Sequence, residues 1–192
     1  MKNPVSHSVN PVFASRWSPY AYAPDREVSE ADLQGMFEAA RWTMSAFNAQ
    51  PWRYIVGVRG RNQAAWDGVF DSLLEGNQGW TRQVPVLALG LIEENFEHNG
   101  KPNPTALHDL GAASAALTFE AVSRGLSVHQ MSGIDPNRAR EVFSLEEGIR
   151  PVTALAIGYA ASEPDPEDEF AQRDRRPRQR KELDELIVRG GF

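Results

Sequence analysis

Residues 104–125, P-T-A-L-H-D-L-G-A-A-S-A-A-L-T-F-E-A-V-S-R-G, form the longest segment of this chain with a helical period. The residues from Gly111 to Ala116 are all small, so another backbone can approach this helix closely. Most of the segment has high helix propensity, and Gly125 suits the position directly after a helix end. The sequence therefore predicts a smooth helix at the centre of a core or of an interface.

The flanking sequence alternates between helical and strand patterns without the regular cadence of a doubly wound fold. Ser29 and Asp32 have the spacing of a capping box and precede an apolar stripe that predicts a helix over 30–42. Asp135-Pro136 is typical of an N-cap followed by proline at the first helical position. The other predictions are strands over 52–58, 85–92, 126–131 and 152–160, and helical segments over 62–74, 135–143 and 182–188. We expect an α+β fold, with a sheet of four or five strands flanked by helices.

Length and composition narrow the class of protein. The 192 residues indicate one domain over 1–192, in which 162–192 form a linker and a C-terminal arm. No apolar run is long enough to span a membrane and the start does not read as a signal peptide, so we expect a cytoplasmic protein. The absence of cysteine excludes disulfides, thiolate metal sites and cysteine nucleophiles. A smooth helix together with a projecting arm favours a homodimer that exchanges its arms.

Several familiar catalytic motifs are missing. The sequence contains no G-x-G-x-x-G that opens a helix, no G-x-x-x-x-G-K-[ST], no H-E-x-x-H and no G-x-S-x-G. Its four histidines are scattered without the spacing of metal ligands, so no metal site is predicted. For His129, at a strand end beside a glycine loop, a site role and a structural role both stay open.

Charge is distributed unevenly along the chain. The net charge of −6 argues against a nucleic-acid-binding protein. Nevertheless, six basic residues fall within nine positions near the C-terminus, namely Arg173, Arg175, Arg176, Arg178, Arg180 and Lys181. The cluster directly follows the acidic stretch Glu163 to Glu169, and this asymmetry requires an explanation.

The strongest local signal is the segment S-A-F-N-A-Q-P-W at 45–52, which lies between a predicted helix and a predicted strand. Its serine, asparagine and glutamine side chains are compact hydrogen-bonding groups that suit a polar heterocycle. With Met44 in place of the usual proline, residues 44–52 resemble the loop of the nitroreductase family of FMN enzymes. Arg16-Trp17-Ser18, the stretch 109–135 and Arg178-x-Arg180 are similar to further elements of that family, in the same order along the chain.

The resemblance implies a mixed, mostly antiparallel sheet and a homodimer with an exchanged C-terminal arm. It also implies which residues bind FMN. Arg16, Ser18, Arg178 and Arg180 would surround the phosphate, with Arg176 as the alternative to Arg178, whereas Arg173 and Arg175 are interpreted as solvated. A backbone N–H near Ser132 or Gly133 would donate to the flavin N5 atom. The full implied set is Arg16, Trp17, Ser18, Tyr20, Met44, Ser45, Ala46, Asn48, Gln130, Met131, Ser132, Gly133, Arg178 and Arg180, of which Met44, Ser45, Ala46 and Asn48 would come from the partner subunit.

The implied activity is a ping-pong reaction in which hydride passes from NAD(P)H through FMN to a small acceptor such as a nitroaromatic or a quinone. No side chain is required as an obligatory acid or base, so no catalytic residue is predicted. One alternative is a protein of the same fold that stores FMN, which would require residues 76–103 to cover the flavin. Another alternative is a flavin-dependent dehalogenase or an enzyme of flavin breakdown. Tyr20 stands where the family often has an arginine near the flavin C2 carbonyl, and we hypothesise that Arg82 supplies the missing charge.

Overall fold

The computed structural model describes residues 3–191 and contains one four-stranded sheet with helices on both faces. Residues 1, 2 and 192 of the predicted domain lie outside the described residues. The strands are β1 (Trp52–Val58), β2 (Val86–Glu93), β3 (Ser127–Met131) and β4 (Ile149–Gly158). The α-helices are α1 (Pro11–Ser15), α2 (Glu30–Arg41), α3 (Gln63–Asp71), α4 (Glu75–Thr81), α5 (Ala106–Ser123), α6 (Pro136–Phe143), α7 (Glu169–Asp174) and α8 (Leu183–Leu186).

The strands lie in the order β1-β2-β4-β3, and each neighbouring pair is antiparallel. The expected α+β class and the antiparallel sheet are therefore confirmed. Val86, Ala88 and Ile92 of β2 pack into one core layer, and Leu87, Leu89 and Leu91 pack into the other. Burial on both faces explains why β2 is an almost continuous apolar run rather than an alternating one.

The helix predicted from the small-residue segment is α5, which packs against α2 on one face of the sheet. Its residues Ala113, Leu117 and Ala121 are fully buried. Gly125 follows the helix end with a φ of 78°, a left-handed conformation that glycine adopts without a steric penalty. At the start of α2, the Ser29 side chain accepts a hydrogen bond from the Asp32 N–H and caps the helix as expected.

Helices α1, α4 and α7 were not predicted, because each is too short to display a helical period. Helix α4 also contains Gly76, Asn77 and Gly79, which are poor helix formers. Contacts with the rest of the chain hold α4 in place. The Leu74 N–H, just before the helix, donates to the Gly133 carbonyl, and Trp80 of the helix is buried in the core. Helix α7 begins at an Asp168 cap and places the first part of the C-terminal arm on the body of the same chain.

Membrane-spanning helices and metal-binding clusters are both absent from the described residues. Over 3–191, no helix is both long enough and apolar enough to cross a membrane. Within the same range, no group of three or more histidine, aspartate or glutamate side chains is arranged to hold a metal ion.

Candidate functional site

Two adjoining cavities lie beside α5 and β3. The smaller one, here called the basic cavity, has a volume of about 260 Å³. Its wall consists of Arg16, Ser18, Ala115, Thr118, Phe119, Val128 and Gln130. The small side chain of Ala115 leaves space above α5. Gln130 also lines the second cavity, so the two spaces meet at this residue.

Guanidinium groups from both ends of the chain lie close together beside the basic cavity, and among Arg16, Arg178 and Arg180 it is Arg16 that lines the cavity. The Arg16 guanidinium donates to the Ser18 hydroxyl oxygen at 3.2 Å. Arg178 donates to the Arg16 carbonyl oxygen at 3.1 Å and to the Asn3 side chain, and its guanidinium lies 5.9 Å from the Trp17 ring centre. The structure therefore brings the predicted N-terminal and C-terminal basic residues together.

The cluster carries an excess of positive charge. Burial lowers the pKa of Arg16, and the charge of Arg180 lowers it further. Burial also lowers the pKa of Arg178, with smaller contributions from Arg16 and Arg180 and an opposing one from Asp174. Among the described residues, no carboxylate lies within salt-bridge distance of Arg16, Arg178 or Arg180. Like charges held together without a counter-charge form a site suited to an anion.

Asp174, which sequence reasoning missed, fixes the C-terminal arm in this position. Its carboxylate accepts hydrogen bonds from the Tyr20 N–H at 2.9 and 3.1 Å and from the Ala21 N–H at 3.0 Å. Burial raises the pKa of Asp174, although these N–H donors oppose the shift. No signal in the sequence marks this aspartate, because its partners are backbone groups more than 150 positions away.

The second space, here called the ring cavity, has a volume of about 480 Å³. It is lined by Tyr20, Leu74, Gly76, Asn77, His129, Gln130, Met131, Ser132, Gly133 and Arg173. The volumes of the two cavities together fall in the range of small-molecule sites, roughly 300–1,000 Å³. The predicted residues Tyr20, Gln130, Met131, Ser132 and Gly133 meet in this wall, where Met131 is mostly buried in the core.

Gly133 occupies a crowded position at the rim of the ring cavity. Its carbonyl accepts hydrogen bonds from the Leu74 N–H at 3.0 Å and from Asn77 Nδ2 at 2.9 Å. A Cβ atom at Gly133 would lie 2.5 Å from Asn77 Nδ2, so a side chain here would force Asn77 to move and break its hydrogen bond to the Gly133 carbonyl. The Gly133 N–H donates to no acceptor among residues 3–191, so it is free to bind a ligand atom.

Aromatic groups support one side of the ring cavity. The His129 ring stacks on Trp80 at 4.6 Å and meets the edge of Tyr20 at 4.9 Å between ring centres. His129 Nδ1 lies 2.9 Å from the Pro19 carbonyl oxygen, and this acceptor requires the proton on Nδ1. Burial lowers the pKa of His129, so the neutral imidazole is favoured. His129 therefore has both of the roles that the sequence left open: it packs against Trp80 and it lines the ring cavity.

The arginine near the ring cavity is not the one that the sequence suggested. Arg82 is exposed at the end of α4, lies over the Phe70 ring at 5.3 Å and lines neither cavity. Its position does not support the hypothesis that it supplies the missing charge. Arg173, interpreted from the sequence as solvated, instead forms part of the cavity wall because α7 folds back onto Tyr20. Arg175 is exposed as expected.

The loop at 44–50 is separate from both cavities within its own chain. Met44 and Phe47 are 79% and 84% exposed, which is unusual for large apolar side chains. Phe47, Asn48 and Gln50 have φ values of 54°, 54° and 45°, a left-handed conformation that is uncommon outside glycine. The Gln50 N–H donates to the Ser45 hydroxyl at 3.0 Å and holds the loop in this shape. Thus Met44, Ser45, Ala46 and Asn48 are not brought to the cavities by their own chain.

The cavities contain further residues that sequence reasoning did not assign. These are Leu74, Gly76, Asn77, Ala115, Thr118, Phe119 and Val128. Ala115, Thr118, Phe119 and Val128 lie in the stretch that resembles a family element, and Gly76 and Asn77 lie in the segment 76–103, but none was named individually. Trp17, which was assigned to the cofactor, lines neither cavity and instead packs against Arg178.

The α+β fold thus places a cavity lined by Arg16 beside a larger cavity whose lining is mostly neutral, a class of site suited to an organic anion. A model of the nitroreductase family matches residues 13–78. An uncharacterized 15.4 kDa protein in the ask 5′ region of Mycolicibacterium smegmatis is 35% identical over 146 residues, covering 72% of this chain and 95% of its own length. The major NAD(P)H-flavin oxidoreductase of Aliivibrio fischeri is 25% identical over 201 residues, covering 83% of this chain and 88% of its own.

Among solved structures, a crystal structure of an oxidoreductase containing FMN has a TM-score of 0.87 and 29% identity. That similarity covers 99% of this chain and 96% of the other. The chain belongs to the nitroreductase family.

Proposed function

We propose that this protein is an FMN-dependent oxidoreductase that works as a homodimer. The observation that carries the proposal is the positive cluster that Arg178 and Arg180 form with Arg16, which lines a cavity adjoining the ring cavity. An FMN phosphate is nearly a dianion, and guanidinium groups bind such oxygens through paired hydrogen bonds. When bound, FMN would supply the redox chemistry, receiving hydride from NAD(P)H and passing electrons to a small acceptor such as a nitroaromatic or a quinone.

The residues of the chain fit this cofactor in three respects. Arg16 and Ser18 would hold the phosphate, with Arg178 and Arg180 adding charge from the arm. The Gln130 Nε2 atom donates to the Ser114 carbonyl and the Thr118 hydroxyl, so its Oε1 atom would be an acceptor for the polar edge of a flavin. The free N–H of Gly133 would donate to the flavin N5 atom, and the absence of a side chain there permits close approach.

An open flavin face favours an enzyme over a storage protein. Storage would require the segment 76–103 to cover the ring. Only Gly76 and Asn77 of that segment line the ring cavity, and none of its residues lines the basic cavity. Phe96, near the end of the segment, instead packs against Phe47 at 5.8 Å between ring centres. Within one chain, the segment 76–103 therefore leaves most of the ring cavity uncovered, which supports an enzyme.

A second copy of the chain would complete the site. The loop at 44–50 presents Met44 and Phe47 to solvent, and exposed apolar clusters of this kind favour protein contacts. The first part of the C-terminal arm packs on its own chain, whereas Leu186 and Val188 are 62% and 86% exposed. We propose that the 44–50 loop of one subunit closes over the ring cavity of the other, and that residues 183–191 are the exchanged part of the arm.

The direct test is spectroscopic. Purified protein should show flavin absorbance, or acquire it with added FMN, and NADPH or NADH should bleach the band. Addition of a quinone should restore the absorbance with continued turnover. Flavin that binds but is never reduced would support storage instead, and a protein that takes up no FMN would refute the proposal.

The phosphate site has its own test in matched arginine variants. Arg180→Ala should weaken FMN binding about 10-fold or more, because a charge-assisted hydrogen bond contributes roughly 1.5–3 kcal/mol. Arg175→Ala is the control: Arg175 is exposed on the same arm, as Arg180 is, but Arg180 lowers the pKa of Arg16 and Arg178 and Arg175 does not. Equal FMN affinity in the two variants would argue against the assigned role of Arg180.

A further inference from the structure

The ring cavity contains one permanently charged side chain among its described lining residues, that of Arg173. The other polar groups in the wall, including Tyr20, Asn77 and Ser132, are neutral. His129 adds no charge near neutral pH, because burial lowers its pKa. Any negative charge that develops on a ring in this cavity would therefore interact first with Arg173.

Aromatic packing holds Arg173 in place. Its guanidinium carbon lies 5.6 Å from the centre of the Tyr20 ring and 4.9 Å from that of Phe170. Phe170 in turn packs on Gly79, where an added Cβ would lie 3.0 Å from the ring. Stacking on aromatic faces orients a guanidinium without cancelling its charge.

Few acidic groups oppose this charge. The carboxylate nearest in a salt bridge is that of Glu169, 3.8 Å away, and its side chain is 70% exposed. An ion pair of that length at the surface is weak. The neighbouring Asp174 accepts hydrogen bonds from the backbone N–H groups of Tyr20 and Ala21, and it forms no salt bridge with Arg173 among the described residues. Arg173 thus retains most of its charge for a ligand.

Reduced flavin carries negative charge along its N1 and C2 carbonyl edge, and a nearby cation stabilises the reduced form relative to the oxidised one. We propose that Arg173 stabilises reduced FMN in this protein and so raises the reduction potential of the bound flavin. The inference rests on the proposed function. In this proposal Arg173, a residue of the C-terminal arm, supplies the positive charge. Tyr20 lies in the same cavity wall but is a neutral phenol and cannot supply it.

The test compares Arg173→Gln, Arg173→Lys and the control Arg175→Gln in FMN-loaded protein. The readout is the midpoint potential, measured by equilibration with a reference dye during slow reduction, with FMN affinity and circular dichroism recorded alongside. Arg173→Gln should shift the reduction equilibrium about tenfold toward oxidised flavin, which is about 30 mV for a two-electron couple. Arg173→Lys should recover most of the shift, and Arg175→Gln should match the unaltered protein.

Three results would overturn the inference. The first is an unchanged potential in Arg173→Gln. The second is an equal shift in Arg173→Lys, which would indicate a packing role without a charge role. The third is a higher KM for NADPH at an unchanged potential, which would assign Arg173 to the nicotinamide donor. In all three cases the unaltered protein still binds FMN, so the proposed function stands. If the unaltered protein does not bind FMN, both the proposed function and this inference fail.

Discussion

The guanidinium of Arg178 donates a 3.1 Å hydrogen bond to the main-chain carbonyl of Arg16, across 162 positions of sequence. The contact joins the arm to the N-terminal segment and places like charges together. Such an arrangement is costly by itself, because each guanidinium lowers the pKa of its neighbour. An anionic ligand would remove that cost, so ligand binding and arm docking should stabilise each other.

Asp174 is expected to control arm docking. In Asp174→Asn, one of the two carboxylate oxygens that accept from the Tyr20 and Ala21 N–H groups is replaced by an NH2 group, which is a donor. The free energy of unfolding should therefore fall by about 1–3 kcal/mol. FMN affinity should fall with it, because Arg178 and Arg180 follow on the same arm. Denaturant unfolding and FMN titration measure the two effects. Asp184→Asn, at an exposed position of α8, is the control. Identical behaviour of the two variants would argue against the proposed role of Asp174 in docking the arm.

Gly133 and Asn77 should show strong coupling. Gly133→Ala places a methyl group 2.5 Å from Asn77 Nδ2 and should displace that side chain, weakening both stability and FMN binding. In Asn77→Ala with Gly133→Ala, the methyl group gains space, so the double variant should be less destabilised than the sum of the single variants. A double-mutant cycle by denaturant unfolding measures this coupling, which should be roughly 0.5–3 kcal/mol. Simple additivity would contradict the close contact.

His129 should make stability depend on pH in a defined direction. Because burial lowers its pKa in the folded state, the unfolded chain binds a proton more readily below about pH 6.5. Stability should therefore fall as the pH drops from 6.5 toward the folded pKa, by at most about 1.4 kcal/mol per pH unit. His129→Gln should lose less stability than the unaltered protein between pH 7.5 and 5.5. Parallel losses in both proteins would exclude His129 as the source.

The 44–50 loop should be required for association. Phe47→Ser removes a side chain that is 84% exposed, so a folded monomer should lose little stability. If the loop forms the subunit contact, the variant should dissociate more readily and bind FMN less tightly. Light scattering after size-exclusion chromatography measures the mass, and Val9→Ser, at another exposed apolar position, is the control. A monomeric unaltered protein would contradict the proposed dimer.

The sequence predicts most of the fold because its long elements carry strong periodic patterns. The strand predicted over 52–58 is β1 without any change of bounds, and α5 begins and ends within two residues of its predicted segment. The arginine convergence was implied by resemblance, since nothing local links Arg16 to Arg178. Asp174 and Arg173 were beyond prediction, because their roles depend on where a short helix of the arm folds back. The position of α7 depends on its packing against Tyr20, and such a long-range contact produces no periodic pattern in the sequence.

The central claim is that the arginines from both ends of the chain bind one phosphate, and comparing FMN with riboflavin tests it most directly. The two ligands share the ring and differ in the phosphate. Titration of the flavin-free protein should show that FMN binds at least about 100-fold more tightly, since two or more charge-assisted contacts are lost with riboflavin. In Arg180→Ala that ratio should shrink. Equal affinity of the unaltered protein for FMN and riboflavin would contradict the account.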